Sequence, residues 1–184
     1  LILADLLIRY KEQITVTKKG APQESRRIHR LMKDPISQVS INHLTSAKLS
    51  FFRDQRLKDG IRAAAIDLIL IGHCLKVSIN EWGLSLNSNP ADKVKRPAPP
   101  KPRQRRIESF EYDALLLASK HTRNRYLWPL VNLALETGMR RSELLKLTWN
   151  NIDHENRTAH LLDTKNGCSR TIPLSTKAMK VIKS

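Results

Sequence analysis

Ile61, Ala65, Leu68, Gly72, Leu75, Ile79 and Trp82 step by four, three, four, three, four and three. That spacing draws one face of an α-helix over about five turns, and Ile66, Leu70 and Val77 widen it. An apolar face of this length needs partners to cover it, and three shorter stripes precede it. Leu3, Leu6, Leu7, Tyr10 and Ile14 predict an amphipathic helix that ends over residues 17–20. A second helix has Pro22 in its first turn and runs through Ile28, Leu31 and Met32 to Lys33, because Asp34 before Pro35 disfavours helix. Arg26, Arg27 and Arg30 lie on its other side. Residues 36–41 read as irregular, with Val39 and Ile41 tucked into the core. A third helix, capped by Thr45 or Ser46, carries Leu49, Phe52 and Leu57 on one side and Arg53, Arg56 and Lys58 on the other; Asp59-Gly60 ends it. Four helices within residues 1–86 have only one another to pack against, which predicts a compact bundle.

Composition changes at residue 87. Between 87 and 107 five prolines sit among Lys93, Lys95, Arg96, Lys101, Arg103, Arg105 and Arg106, with Asp92 the single acid. Proline-rich, self-repelling sequence is extended and semi-rigid, so this stretch reads as a domain linker. Across the chain 33 Lys and Arg face 17 Asp and Glu, a formal net charge of +16. Such an excess points to a polyanionic partner, with nucleic acid preferred over an anionic membrane. The longest apolar run, residues 61–71, is broken by Arg62 and Asp67, so no membrane span is expected. Residues 1–7 contain Asp5 and no basic leader, so no signal peptide is expected. Cys74 and Cys168 form no paired motif, which suggests the cytoplasm. The histidine and cysteine spacings suggest no metal site, and no cofactor is implied.

Residues 108–184 predict a helix over 108–119, rich in acid at its start, and a second from about Tyr126 to Gly138. A third follows over 141–147. Two strands, 158–162 and 170–174, are joined by a turn over 163–169 whose Asn166-Gly167 supplies a positive-φ corner, and a last helix starts at Ser175. Gly138 can take the left-handed conformation that ends a helix, and Arg140 lies in the connection beside the orphan backbone N–H groups of the next helix start. That arrangement suits a phosphate.

From Thr137 to Asp153 the pattern is T-G-M-R-x-S-E-L-x-x-L-x-W-x-x-I-D, followed by T-K-N-G at residues 164–167 and R-x-I-P-L at 170–174. This series resembles the front of the catalytic domain of the tyrosine recombinases, the phage integrase group in particular. The four predicted helices are similar to that group's N-terminal core-binding domain. The resemblance implies a mainly α fold in three parts: a four-helix core-binding domain (1–86), a basic proline-rich linker (87–107), and an incomplete α+β catalytic domain (108–184) with a small β-hairpin or sheet.

It also implies roles. Arg140 matches the family's first catalytic arginine; a planar guanidinium that never loses its proton can hold two phosphate oxygens at once. Lys165, at the hairpin tip, matches the catalytic lysine, which protonates the leaving 5′ oxygen. Glu143 and Arg170 are read as supporting them. Lys93, Lys95, Arg96, Lys101, Arg103, Arg105 and Arg106 of the linker, with Arg53 and Arg56, are the candidate DNA contacts. The implied partner is double-stranded DNA, gripped by a homo-tetramer in the full-length enzyme and by a monomer in a fragment, and the implied setting includes integration of a phage genome.

Family members carry, farther along, a His-x-x-Arg motif, a His or Trp and a nucleophilic tyrosine. Within these 184 residues Tyr10, Tyr112 and Tyr126 all precede Arg140 in predicted helices. The expectation is therefore a piece that binds DNA without cutting it. Two other classes compete: a DNA-binding module or regulator without chemistry, and a basic structural protein of ribosomal type. The first lacks a second recognition helix after Asn150-Asn151, and the second leaves Arg140 and Lys165 unexplained.

Overall fold

The computed structural model describes residues 1–102, 104–162 and 168–183. It divides into two compact units, Leu1–Arg103 and Gln104–Ser184. Lys165, Arg103 and the turn with Asn166-Gly167 lie outside the described residues.

The first unit is built from α1 (Leu3–Gln13), α2 (Ala21–Leu31), α3 (Ser46–Arg56) and α4 (Ile61–Glu81). Leu3, Leu7 and Tyr10 of α1 are fully buried, as are Ile71, Cys74 and Leu75 of α4. Each such Leu or Ile contributes about 1.5–3 kcal/mol by leaving water. Pro22 stands in the first turn of α2. Thr45 caps α3 by accepting from the Lys48 N–H at 3.3 Å. The stretch expected to be irregular forms two 3-10 turns, Pro35–Gln38 and Ile41–His43. Between them the chain straps the start of α1: the Leu3 N–H donates to the Val39 carbonyl, and the Ile41 N–H donates to that of Leu1, each at 3.1 Å. Gly60, at φ 114°, turns the chain from α3 into α4 in a conformation that a side chain would strain.

Two expectations are corrected here. By length and apolar composition alone α4 would suffice to cross a membrane, although no run of that reach was expected. Half of its apolar window is buried inside the unit, and Asp67 in that window is held by arginines of α2 and α3. The proline-rich stretch, in turn, is not extended from its start. Asn89 donates through Nδ2 to the Gly72 carbonyl (2.9 Å), and its Oδ1 accepts from the Ala91 N–H (3.0 Å). A 3-10 turn, Pro90–Lys93, follows, and Ala91 and Val94 are buried in the same core as α4. Gly72 permits this, since a Cβ there would stand 3.2 Å from that of Ala91.

The second unit comprises α5 (Ser109–Lys120), α6 (Leu127–Thr137), α7 (Arg141–Leu145), β1 (Ile152–Asp153), β2 (Thr158–Leu161), β3 (Arg170–Pro173) and α8 (Thr176–Lys183). The strands form an antiparallel sheet in the order β1-β2-β3, with Ile152 opposite Ala159 and Ala159 opposite Ile172. Met139, Leu144, Ala159, Leu161, Ile172, Leu174 and Met179 make its core. The fold is mainly helical with one small sheet. The two-residue β1 was not expected; it is too short to show a period of two.

Candidate active site

The chain enters α7 through a sharp corner. Gly138 adopts φ 63°, and its N–H closes α6 on the Ala134 carbonyl at 3.0 Å. Met139 is buried, which leaves Arg140 at the head of α7, in extended backbone, with its carbonyl accepting from the N–H groups of Glu143 (2.9 Å) and Leu144 (3.0 Å).

Glu143 is the hub of the site. Its side chain is 3% exposed, and Oε2 accepts from the Arg140 backbone N–H while Oε1 accepts from Arg140 Nη1, both at 2.8 Å. Arg170, at the first position of β3, donates through Nη2 to Oε2, also at 2.8 Å. The carboxyl is held below its ordinary range, first by the Arg140 backbone N–H and then by that residue's guanidinium and by Arg170, against the opposing effect of burial. Arg140 and Arg170 remain 51% and 44% exposed. One hidden carboxylate thus fixes two guanidiniums whose outer edges stand at the surface. Such an arrangement can bind a phosphate by charge-assisted bonds without first paying to order the side chains.

The other expected site residues lie on the basic stretch and on α3. Lys93, Lys95, Arg96, Lys101, Arg105 and Arg106 are exposed along the basic stretch. Arg105 pairs with Glu111. Arg53 is engaged by Asp54 at 2.8 Å and by the Lys95 carbonyl at 2.9 Å. Arg56, expected on a DNA-facing side, is instead turned inward: only 13% of its side chain is exposed, and it pairs with Asp67 at 2.8 Å and with Asp59. A buried carboxylate needs a cation more than the surface does, and Asp67 takes this one. That demand was visible in the sequence as a lone acid inside an apolar stripe.

Each tyrosine hydroxyl is engaged by a partner other than Arg140. Tyr10 is buried, with its oxygen 2.6 Å from His73 Nδ1 and accepting from Lys18 Nζ at 2.7 Å. Tyr112 donates to Glu136 at 3.1 Å, and Tyr126 accepts from Arg125 at 2.6 Å. Glu136 was missed by the sequence reading. Its second oxygen accepts from Ser175 at 2.7 Å, tying α6 to the start of α8 two residues before the Gly138 corner.

A corner, a buried acid and two surface arginines form the candidate site, on a small mixed domain that follows a helical one. Comparisons with known proteins bear on what that domain is. Residues 105–184 match the family model for the phage integrase family. A Haemophilus influenzae protein named as an integrase/recombinase is 34% identical over 189 residues, covering 98% of this chain and 51% of that protein. The shufflon-specific DNA recombinase of Escherichia coli is 32% identical over 185 residues, covering 96% and 48%. The chain therefore spans about half the length of these relatives.

Among solved structures, a lambda integrase dimer bound to a COC' core site superposes over the whole chain and 68% of its own, with TM-score 0.81 at 16% identity. The Tn1549 transposon integrase in complex with transposon right end DNA does so over the whole chain and 64% of its own, with TM-score 0.77 at 16% identity. These likenesses show a shared fold. Residues 105–184 thus carry the phage integrase domain, and the chain as a whole is similar to integrases and recombinases of the tyrosine recombinase family.

Proposed function

We propose that this chain is the DNA-gripping and phosphate-binding part of a site-specific recombinase that breaks and rejoins duplex DNA through a phosphotyrosine. The observation that carries the reading is Glu143, which holds Arg140 and Arg170 at 2.8 Å each while both remain half exposed. In-line attack at a phosphodiester places charge on the non-bridging oxygens, and a preorganised guanidinium stabilises it without reorganising. Arg140 is the donor to those oxygens, Arg170 stands beside it, and Glu143 keeps both in place. Lys165 protonates the leaving 5′ oxygen. Lys93, Lys95, Arg96, Lys101, Arg103, Arg105 and Arg106 follow the phosphate backbone as a positively charged connector, and Arg53 adds to them.

The partner is double-stranded DNA, held by a homo-tetramer when the remaining length found in the relatives is present. The 184 residues alone bind as a monomer and do not cut, a reading supported by the engagement of all three tyrosine hydroxyls elsewhere. The setting is cytoplasmic, and integration of a phage genome is one reaction such an enzyme performs.

Three measurements test this. Binding of the chain to duplex DNA against salt should give a log–log slope of about −0.9 per phosphate contact, and a flat dependence would remove the DNA reading. On a nicked suicide duplex the chain should form no covalent adduct; an adduct overturns the claim that it does not cut. In a chain long enough to cleave, Arg140→Ala should cost roughly 10²–10³ in rate with affinity nearly unchanged. Equal loss of affinity and no loss of rate would make this a binding module without chemistry.

A further inference from the structure

The first unit contains a second cluster of arginines around a hidden acid, remote in sequence from Arg140. Asp67 is fully buried in the middle of α4. Its Oδ1 accepts from Arg27 Nη1 of α2 at 2.5 Å, and its Oδ2 lies 2.9 Å from Nε and 2.8 Å from Nη2 of Arg56 on α3. Arg30, one turn beyond Arg27, brings Nη2 to 3.5 Å from Oδ1. Asp59, itself exposed, takes a further contact from Arg56. Three guanidiniums thus meet two carboxylates, leaving one positive charge in excess.

Arg27 and Arg56 already occupy both oxygens of Asp67, so neutralising the buried charge does not require Arg30. The three side chains also form a gradient from core to surface: Arg56 is 13% exposed, Arg27 25% and Arg30 53%. Arg27 lines a cleft of about 440 Å³ bounded by α1, α2 and α4, together with Lys18, Gln23 and His73. Glu24 is the acid of that cleft, and Lys18 neutralises it at 2.8 Å. The cluster therefore faces solvent as a cationic edge. An apolar residue in α4 would hold the helices together at less cost than a buried carboxylate, so Asp67 calls for a reason beyond cohesion.

We propose that Asp67 is a positioning residue that fixes Arg27 and Arg30 as a paired phosphate contact for duplex DNA on the first unit. The inference rests on the DNA-binding reading above and adds to it a contact site away from the basic linker. A guanidinium held on its inner edge loses less freedom when its outer edge meets a phosphate. Contacts of this kind anchor the duplex without reading its sequence.

Fluorescence anisotropy of the whole 184-residue chain on two unrelated duplexes, from about 50 to 200 mM salt, tests the proposal. Arg30→Gln gives up only a 3.5 Å contact in the fold. It should keep its melting temperature, weaken binding roughly 5–10-fold at the low-salt end on both duplexes, and lower the salt slope by about 1. Asp67→Asn removes a negative charge, so net charge alone would tighten binding to DNA. The proposal expects weaker binding and a shallower slope, read where circular dichroism shows the helices intact; a purely cohesive Asp67 would move the melting temperature and not the slope. If Asp67→Asn does not fold, Arg27→Lys decides, because it keeps the charge and loses the two-pronged grip, and it should weaken binding on both duplexes. Wild-type affinity and slope in Arg30→Gln, or a folded Asp67→Asn that binds as tightly as wild type, overturns the proposal. Absence of salt-dependent binding by the wild-type chain fails the DNA reading itself, a separate result.

Discussion

At the scale of single residues, Glu143 is the group on which the candidate site depends. Its carboxyl lies below the ordinary 4.5 because the Arg140 N–H and two guanidiniums favour its charged form. A depressed acid contributes stability that is complete above its unfolded value and is lost as pH falls through the folded one. Glu143→Gln should therefore lower the melting temperature of the second unit at pH 7, and the gap to wild type should close as the buffer is taken below about pH 4.5. A gap that stays constant into acid would show that the charge of Glu143 is not what holds the arginines. Gly138 offers a second residue-scale test. At φ 63° with nothing near its missing Cβ, it is constrained by backbone alone. Gly138→Ala should cost about 1 kcal/mol in urea melts, and Gly138→Asn less. A neutral Gly138→Ala would mean the corner relaxes.

At the scale of elements, helices whose signal is local were legible. The stripe from Ile61 to Trp82 becomes α4, Pro22 enters the first turn of α2, Thr45 caps α3, and strands at 158–162 and 170–174 become β2 and β3. Spacing of 3.6 or 2 and a capping hydroxyl are properties of neighbours in sequence, so the sequence carries them. Pairings between distant elements have no such trace. Asp67 meets Arg27 across 40 positions and Arg56 across 11, and the sequence reading assigned Arg56 to DNA because its helix face looked basic. Composition misled in the same way at residue 89, where proline content hid a turn that docks on α4. Asn89→Ala removes both the cap on Ala91 and the bond to Gly72 and should cost about 1–2 kcal/mol. Trypsin should cut wild type first between Lys95 and Arg106, where Lys95, Arg96, Lys101, Arg105 and Arg106 are exposed and, among the described residues, no helix or strand intervenes. In Asn89→Ala the cut should extend to Lys93. An unchanged pattern would show that the turn is held by Ala91 and Val94 without Asn89. Within the candidate site, the contact between Arg140 and Glu143 was legible because they lie three apart at a helix start. That Arg170 shares the same carboxylate required the sheet to be seen.

At the scale of the whole molecule, excess positive charge is distributed in two ways. At Lys95, Arg96, Lys101, Arg105 and Arg106 it is exposed and strung out in sequence, as suits contact with a backbone of any sequence. In each folded unit it is gathered around a buried acid, Asp67 in the first and Glu143 in the second. The bond from Arg170 to Glu143 spans 27 residues, and its two ends belong to a helix and to the last strand of the sheet. Contacts of that separation form late, since the intervening chain must be ordered before they repay its lost freedom. During synthesis, then, Arg140 and Glu143 leave the ribosome together, 27 residues ahead of their third member. The arginine pair becomes complete only once β3 has been made and docked, so a half-folded chain has Glu143 without one of its two guanidiniums.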